Sequence, residues 1–267
     1  MPETDQPAEN RADDHSGDQA PGDVSGAVSR LTDADLGAGE RARLLGTVAA
    51  SAGGGQRSGI RRFVMGPRAA AHWAQETLLD IAPRLPIRDL DTLRRHHGGK
   101  SGDELADALI KSASRAAAAI GAAGGGVASV EWAAPPTLLT APVLIAAETV
   151  GVVAVELKLI AELHEVYGSP VRGSATEKGA ALLGAWAHRR GVSLSLLNPG
   201  GGLTTILGAG MRKELQKRLI KRMGRNLTSI GPLLTGAAVA AELNRRATRG
   251  LGEAIRDDLR KAPRQLR

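Results

Sequence analysis

Glu148, Glu156, Glu162, His164 and Glu165 fall within eighteen residues of one apolar stretch, and carboxylates beside an imidazole are the side chains with which helical proteins hold metal ions and move protons. Their spacing favours neither use. At ~100° per residue, Glu148, Lys158, Glu162 and Glu165 share one helical stripe about 100° wide, while Glu156 and His164 point elsewhere. A di-metal bundle is built on Glu-x-x-His, and here His164 follows Glu162 by two positions. The pattern reads instead as a polar seam, with Lys158 pairing Glu162 at i,i+4 and the acids meeting a basic helix further along the chain. No metal and no other cofactor is expected.

The other candidate chemistries fail on spacing as well. Gly99-Lys100-Ser101 has the end of a phosphate loop, but Arg94 stands where the first glycine of that pattern belongs, after an expected helix rather than a strand. Gly124-Gly-Gly126 and Gly200-Gly-Gly202 lack the dinucleotide-binding spacing. There is no Gly-x-Ser-x-Gly elbow, and the six histidines never take a zinc-protease spacing. With no cysteine in 267 residues, disulfides, thiolate metal sites, thiol nucleophiles and iron–sulfur clusters are all excluded. The sequence therefore predicts no catalytic residue.

The elements that position these residues read as helices broken by glycine and proline, and no run of alternating β-branched residues makes a strand. The expected fold is all-α, with helices over 32–51, 67–82, 89–96, 102–132, 136–167, 175–190, 203–225 and 232–261. Ser101-Gly-Asp-Glu104 and Ser174-Ala-Thr-Glu177 have capping-box spacing and predict helix starts near 102 and 175. Ala133–Val155 is long enough to span a bilayer core, but Pro135, Pro136 and Pro142 interrupt it and Glu148 sits within it, which favours a buried core helix. Gly121 and Gly125 form a small-xxx-small face, expected to pack against the helix 136–167.

Charge is distributed unevenly. The chain carries +7 overall, yet residues 1–40 hold ten acids and two bases, a net of −8, and the remainder a net of +15. Residues 1–28, rich in Asp, Gly, Pro and Gln, are expected to be a disordered acidic tail, and 29–267 a single helical domain. No basic run followed by an apolar core opens the chain, and Met1-Pro2 is no myristoylation signal, so a cytoplasmic location is the expectation.

The strongest local signal is Met211–Arg225. Met211, Leu215, Leu219 and Met223 recur every four residues, and Arg212, Lys213, Lys217, Arg218, Lys221, Arg222 and Arg225 occupy the other faces with Glu214 as the one acid. This is a basic amphipathic helix, suited to the surface of an anionic membrane. Trp132 and Tyr167, at the ends of the apolar helical region, are candidate interface aromatics. Nucleic acid could use the same cations through counterion release, with the acidic tail as an autoinhibitory element. No interleaved aromatic residue and no reading motif supports that alternative.

Two stretches resemble the EcsC family of bacterial helical, membrane-associated proteins. The first runs from Asp103-Glu-Leu through Gly121-Ala-Ala-Gly-Gly-Gly126 and Pro135-Pro136 to Ile160-Ala161 and Tyr167-Gly168. The second is Ile230-Gly-Pro-Leu-Leu-Thr-Gly236 followed by Asn244, Thr248-Arg249 and Gly252, with one residue more between Pro232 and Gly236 than the family's Pro-x-x-Gly. The resemblance implies a helical membrane-associated protein linked to a transport or secretion complex, and carries over no catalytic residue. The combined expectation is a non-enzymatic helical bundle with glycine- and alanine-rich central helices, cytoplasmic and peripheral to the membrane.

Overall fold

The computed structural model describes residues 23–52, 66–131, 141–190 and 234–261. Every regular element among them is helical. In chain order these are α1 (Val24–Leu31), α2 (Ala38–Ala52), α3 (Pro67–Ile81), a short 3-10 turn (Ala82–Arg84), α4 (Leu90–His96), α5 (Gly102–Glu131), α6 (Ala141–Val166), α7 (Ala175–Arg189) and α8 (Leu234–Lys261). The expected all-α class is what the structure has. The expected helix 203–225 lies outside the described residues.

The centre of the molecule is α6, buried without interruption from Ile145 to Leu163. A helix that is apolar on all sides has no face to give to water, and it is stable only when neighbours cover every side. Here α5, α8, α3, α2, α1, α4 and α7 supply that cover. No helix among the described residues is long and apolar enough to cross a membrane.

Three long helices set the frame. α5 and α8 are antiparallel, because Asp103 meets Arg260 at one end, Gly252 rests on Ile110 in the middle, and Gly121 meets Ala240 at the other. α5 and α6 are antiparallel too, with Gly151 over Ile120 and Tyr167 bonded to Asp103. Consequently α6 and α8 run parallel, and their residues 148 and 244, then 159 and 252, come into register.

Of the expected glycine face, the surroundings of Gly125 lie outside what is described. At Gly121 the nearest neighbour is α8 rather than α6: a Cβ there would lie 2.9 Å from the backbone C and O of Ala240 and 2.7 Å from Asn244 Nδ2, so this glycine lets α8 approach α5. Gly124 is the one turned to α6, where a Cβ would meet Glu148 Oε2 at 2.7 Å. Gly121 thus marks a close backbone approach between α5 and α8, a contact between residues more than a hundred positions apart.

Two boundaries also move. α1 begins at Val24, inside the stretch expected to be disordered, because Asp23 accepts the Gly26 N–H at 2.9 Å as an N-cap and Val24, Ala27, Val28 and Leu31 put an apolar stripe against the core. The expected 32–51 helix is interrupted before Ala38. From α2 the fully buried Arg41 reaches back, donating from Nη1 to Leu31 O at 3.0 Å and from Nη2 to Asp33 O at 2.9 Å and Leu36 O at 3.2 Å. The last carbonyl of α1 and two carbonyls of the turn after it are satisfied in this way, by one guanidinium.

Of the two capping boxes, Ser174–Glu177 forms in full, with Glu177 N donating to Ser174 Oγ at 3.3 Å and Ser174 N to Glu177 Oε2 at 2.8 Å. The Ser101–Glu104 box does not form. The chain enters α5 through Gly102 at φ +51, a left-handed conformation at the position where a capping box requires a residue of helical φ.

Candidate functional site

Arg212, Lys213, Lys217, Arg218, Lys221, Arg222 and Arg225, the cations expected to dock on an anionic surface, lie outside the described residues, as does Trp132. Tyr167 is described. Its ring packs on the core at the end of α6, and its hydroxyl donates to Asp103 Oδ1 at 2.6 Å, while Arg260 Nη2 donates to Asp103 Oδ2 at 2.6 Å. One carboxylate therefore ties together the start of α5, the end of α6 and the end of α8. Arg256, on the turn of α8 before Arg260, bonds Asp107 one turn along α5.

Burial, then the bond to Asp103, push the Tyr167 phenol far above its ordinary value. A phenol whose proton is held more tightly in the folded state adds stability that is complete below about pH 10 and is lost as the pH rises from there through the raised native value. The chain has one tyrosine, so the effect is directly visible. At about pH 11 the native protein should show little tyrosinate absorbance and the denatured protein nearly all of it. Asp103→Asn should move the native titration toward the ordinary range, and a native midpoint near 10 in the unaltered protein would refute this coupling.

The acids of α6 have partners that the helical stripe did not indicate. Glu156, with no exposed surface, accepts Trp186 Nε1 at 2.6 Å on Oε2, and on Oε1 accepts Thr248 Oγ1 at 3.0 Å and Arg190 Nη2. It joins α6 to α7 and α8. Glu148 accepts Asn244 Nδ2 at 2.9 Å, and that pair lies across the notch left by Gly121 and Gly124. The Lys158–Glu162 pair forms as expected, at 3.1 Å, but it is enclosed rather than solvated, and Lys158 Nζ also donates to Pro86 O at 2.9 Å. Burial pushes the Glu162 carboxyl above the usual carboxylate range, with the Lys158 ammonium pulling it back.

His164 stands apart from all three. Its Nδ1 lies 3.1 Å from Ser169 O, to which it donates, and burial holds the imidazole below its ordinary value against the pull of that carbonyl. Among the described residues, no three His, Asp or Glu side chains converge as a metal site. A shallow groove beside the start of α1, lined by Asp23, Ser29, Asp80 and Arg84 among others, includes neither Glu148 nor His164.

Sequence reasoning missed Arg190, Thr248 and Arg41. The available signal was Glu156 itself, a charge in Val-Ala-Val-Glu-Leu, since a carboxylate in an apolar run must find donors from elsewhere. Compared with protein-family models, with curated proteins and with solved structures, the chain matches none.

Proposed function

We propose that this chain is a non-enzymatic, peripheral membrane-associated helical protein that docks on anionic membrane through the basic amphipathic segment Met211–Arg225. The observation that carries this reading is the segment itself: seven cations, one acid and a Met/Leu stripe in fifteen residues. Each cation held near an anionic surface contributes about 1 kcal/mol before screening, so seven provide several kcal/mol, enough for reversible association. Salt at about 0.1 M confines the attraction to within ~10 Å of the headgroups, which makes binding salt-sensitive.

The core supports this division of labour. Glu162, one of the seam acids expected to meet the basic segment, is engaged by Lys158, and Glu156, off that seam, by Arg190. Neither needs a cation from 211–225. The likeness to the EcsC family adds a link to a transport or secretion complex in the membrane and a cytoplasmic, membrane-peripheral location.

Co-sedimentation with phosphatidylcholine vesicles, and with vesicles containing phosphatidylglycerol, tests the reading across a salt series. Binding should require the anionic lipid, weaken with salt, and vanish when Arg212, Lys213, Lys217, Arg218, Lys221, Arg222 and Arg225 are changed to Glu. Binding unaffected by that reversal would overturn the proposal. So would steeply salt-dependent binding to duplex DNA with none to vesicles, which would establish the nucleic-acid alternative.

A further inference from the structure

Val239 and Leu243 are the large apolar side chains left exposed among the described residues, at 56% and 43% of their full surface. A single exposed leucine carries no information. These two are one turn apart on the same side of α8, so they form one apolar strip rather than two isolated groups.

Rotation of the helix cannot hide them. The opposite side of α8 is committed to α5 and α6 by the Ala240 backbone against Gly121, by Asn244 to Glu148, by Thr248 to Glu156 and by Gly252 against Ile110 and Leu159. The strip is therefore fixed facing outward.

Cations border it at one end and along one flank. Arg246 lies on the next turn of the same side, exposed, and Arg245 and Arg249 lie on one flank, Arg249 paired with Glu253. The acid of this stretch, Glu242, is already shared by Arg245 and Arg246, which hold its carboxyl down to about 2. From Met211 to Gly250 the chain carries ten cations and two acids. The strip thus follows the segment proposed above to dock, with the uncharged residues 226–238 between them.

We infer that the outward face of the first half of α8 is a second membrane-docking element, in which Val239 and Leu243 enter the boundary between headgroups and acyl chains of an anionic bilayer while Arg245, Arg246 and Arg249 stay at the headgroups. This rests on the membrane reading of Met211–Arg225 and adds what that reading lacks, a rigid apolar wedge whose orientation is set by the protein core. Shallow burial of such a strip, to about 5–10 Å, is how interfacial helices combine apolar area with charge.

The absence of cysteine makes the test clean, since a single introduced thiol is the only one labelled. Leu243→Cys in the full chain, carrying the environment-sensitive fluorophore NBD, is mixed with phosphatidylcholine vesicles or with vesicles containing phosphatidylglycerol, alongside Lys111→Cys on the exposed side of α5. The expected result is a blue shift at position 243 with the anionic vesicles alone and none at position 111. In parallel, the double variant Val239→Asp with Leu243→Asp should bind anionic vesicles about tenfold or more weakly while keeping its helical circular dichroism.

Unaltered protein that sediments with anionic vesicles while the position 243 label does not shift would overturn this inference and leave the basic segment as the docking site. A label already blue-shifted without vesicles would also overturn it, by showing that another part of the chain covers the strip. Unaltered protein that binds no vesicle would remove both readings together.

Discussion

Glu156→Ala should lower the unfolding free energy by roughly 3–5 kcal/mol, the range for breaking a buried ion pair by deleting one partner. The loss exceeds that of one hydrogen bond because three donors lose their acceptor at once: Trp186 Nε1, Thr248 Oγ1 and Arg190 Nη2. Arg190 is the costliest of these, being largely enclosed and having a buried Nε that makes no hydrogen bond in the native state. Glu156→Gln should recover little. Its amide has one oxygen for two sets of donors, so its NH2 must face either Trp186 or the Arg190 and Thr248 pair.

Changing Glu156 and Arg190 together to leucine should restore a large part of the stability, since replacing both charges removes the unpaired one. Urea unfolding followed by tryptophan fluorescence measures all four proteins, because Trp186 reports on this cluster. A loss below about 1 kcal/mol for Glu156→Ala would show that water replaces the carboxylate and that the cluster is not a structural tie.

Gly121→Leu should be nearly as damaging, for a steric reason. A side chain there meets backbone atoms of Ala240 at 2.9 Å, and backbone in a helix cannot turn aside as a side chain can. The helices must separate, which also draws Asn244 from Glu148. Two effects oppose each other, since any residue that replaces glycine in a helix gains up to about 1 kcal/mol of propensity. Overpacking of about 1–3 kcal/mol or more outweighs it at this contact. Gly250→Ala, on the same α8 but with nothing within 4 Å of its would-be Cβ, should instead raise stability by about 0.4–1 kcal/mol. Thermal unfolding midpoints of the two variants should therefore move in opposite directions. A rise for Gly121→Leu would mean that α5 and α8 are not held together at this point.

Much of the frame was legible because helices announce themselves locally. The Ser174 to Glu177 box and the i,i+4 pair Lys158–Glu162 each involve residues a few positions apart, and both reappear in the structure. What was lost was either too short or too distant. α1 has only eight residues, and acidic, glycine-rich composition around it concealed one cap and one apolar stripe. The donors to Glu156 stand 30, 34 and 92 positions away, distances over which helical periodicity carries no signal. The Ser101 box failed for a reason invisible to spacing, the left-handed Gly102 that follows it. Of the candidate site, the sequence made the cations legible and the outward Val239–Leu243 strip illegible, since only the positions of α5 and α6 decide which side of α8 faces away.

Because α6 is enclosed on all sides, its last partner decides when it is safe. α6 ends at Val166 and α8 at Lys261, so a ribosome adding about 5–20 residues per second needs roughly 5–20 s to supply the helix that covers the α5–α6 groove. Throughout that interval α6, the most apolar of the described helices, lacks the cover of α8, with Glu156 still waiting for Thr248. The hazard of misassembly therefore lies in that interval, and the step that ends it is the arrival of α8.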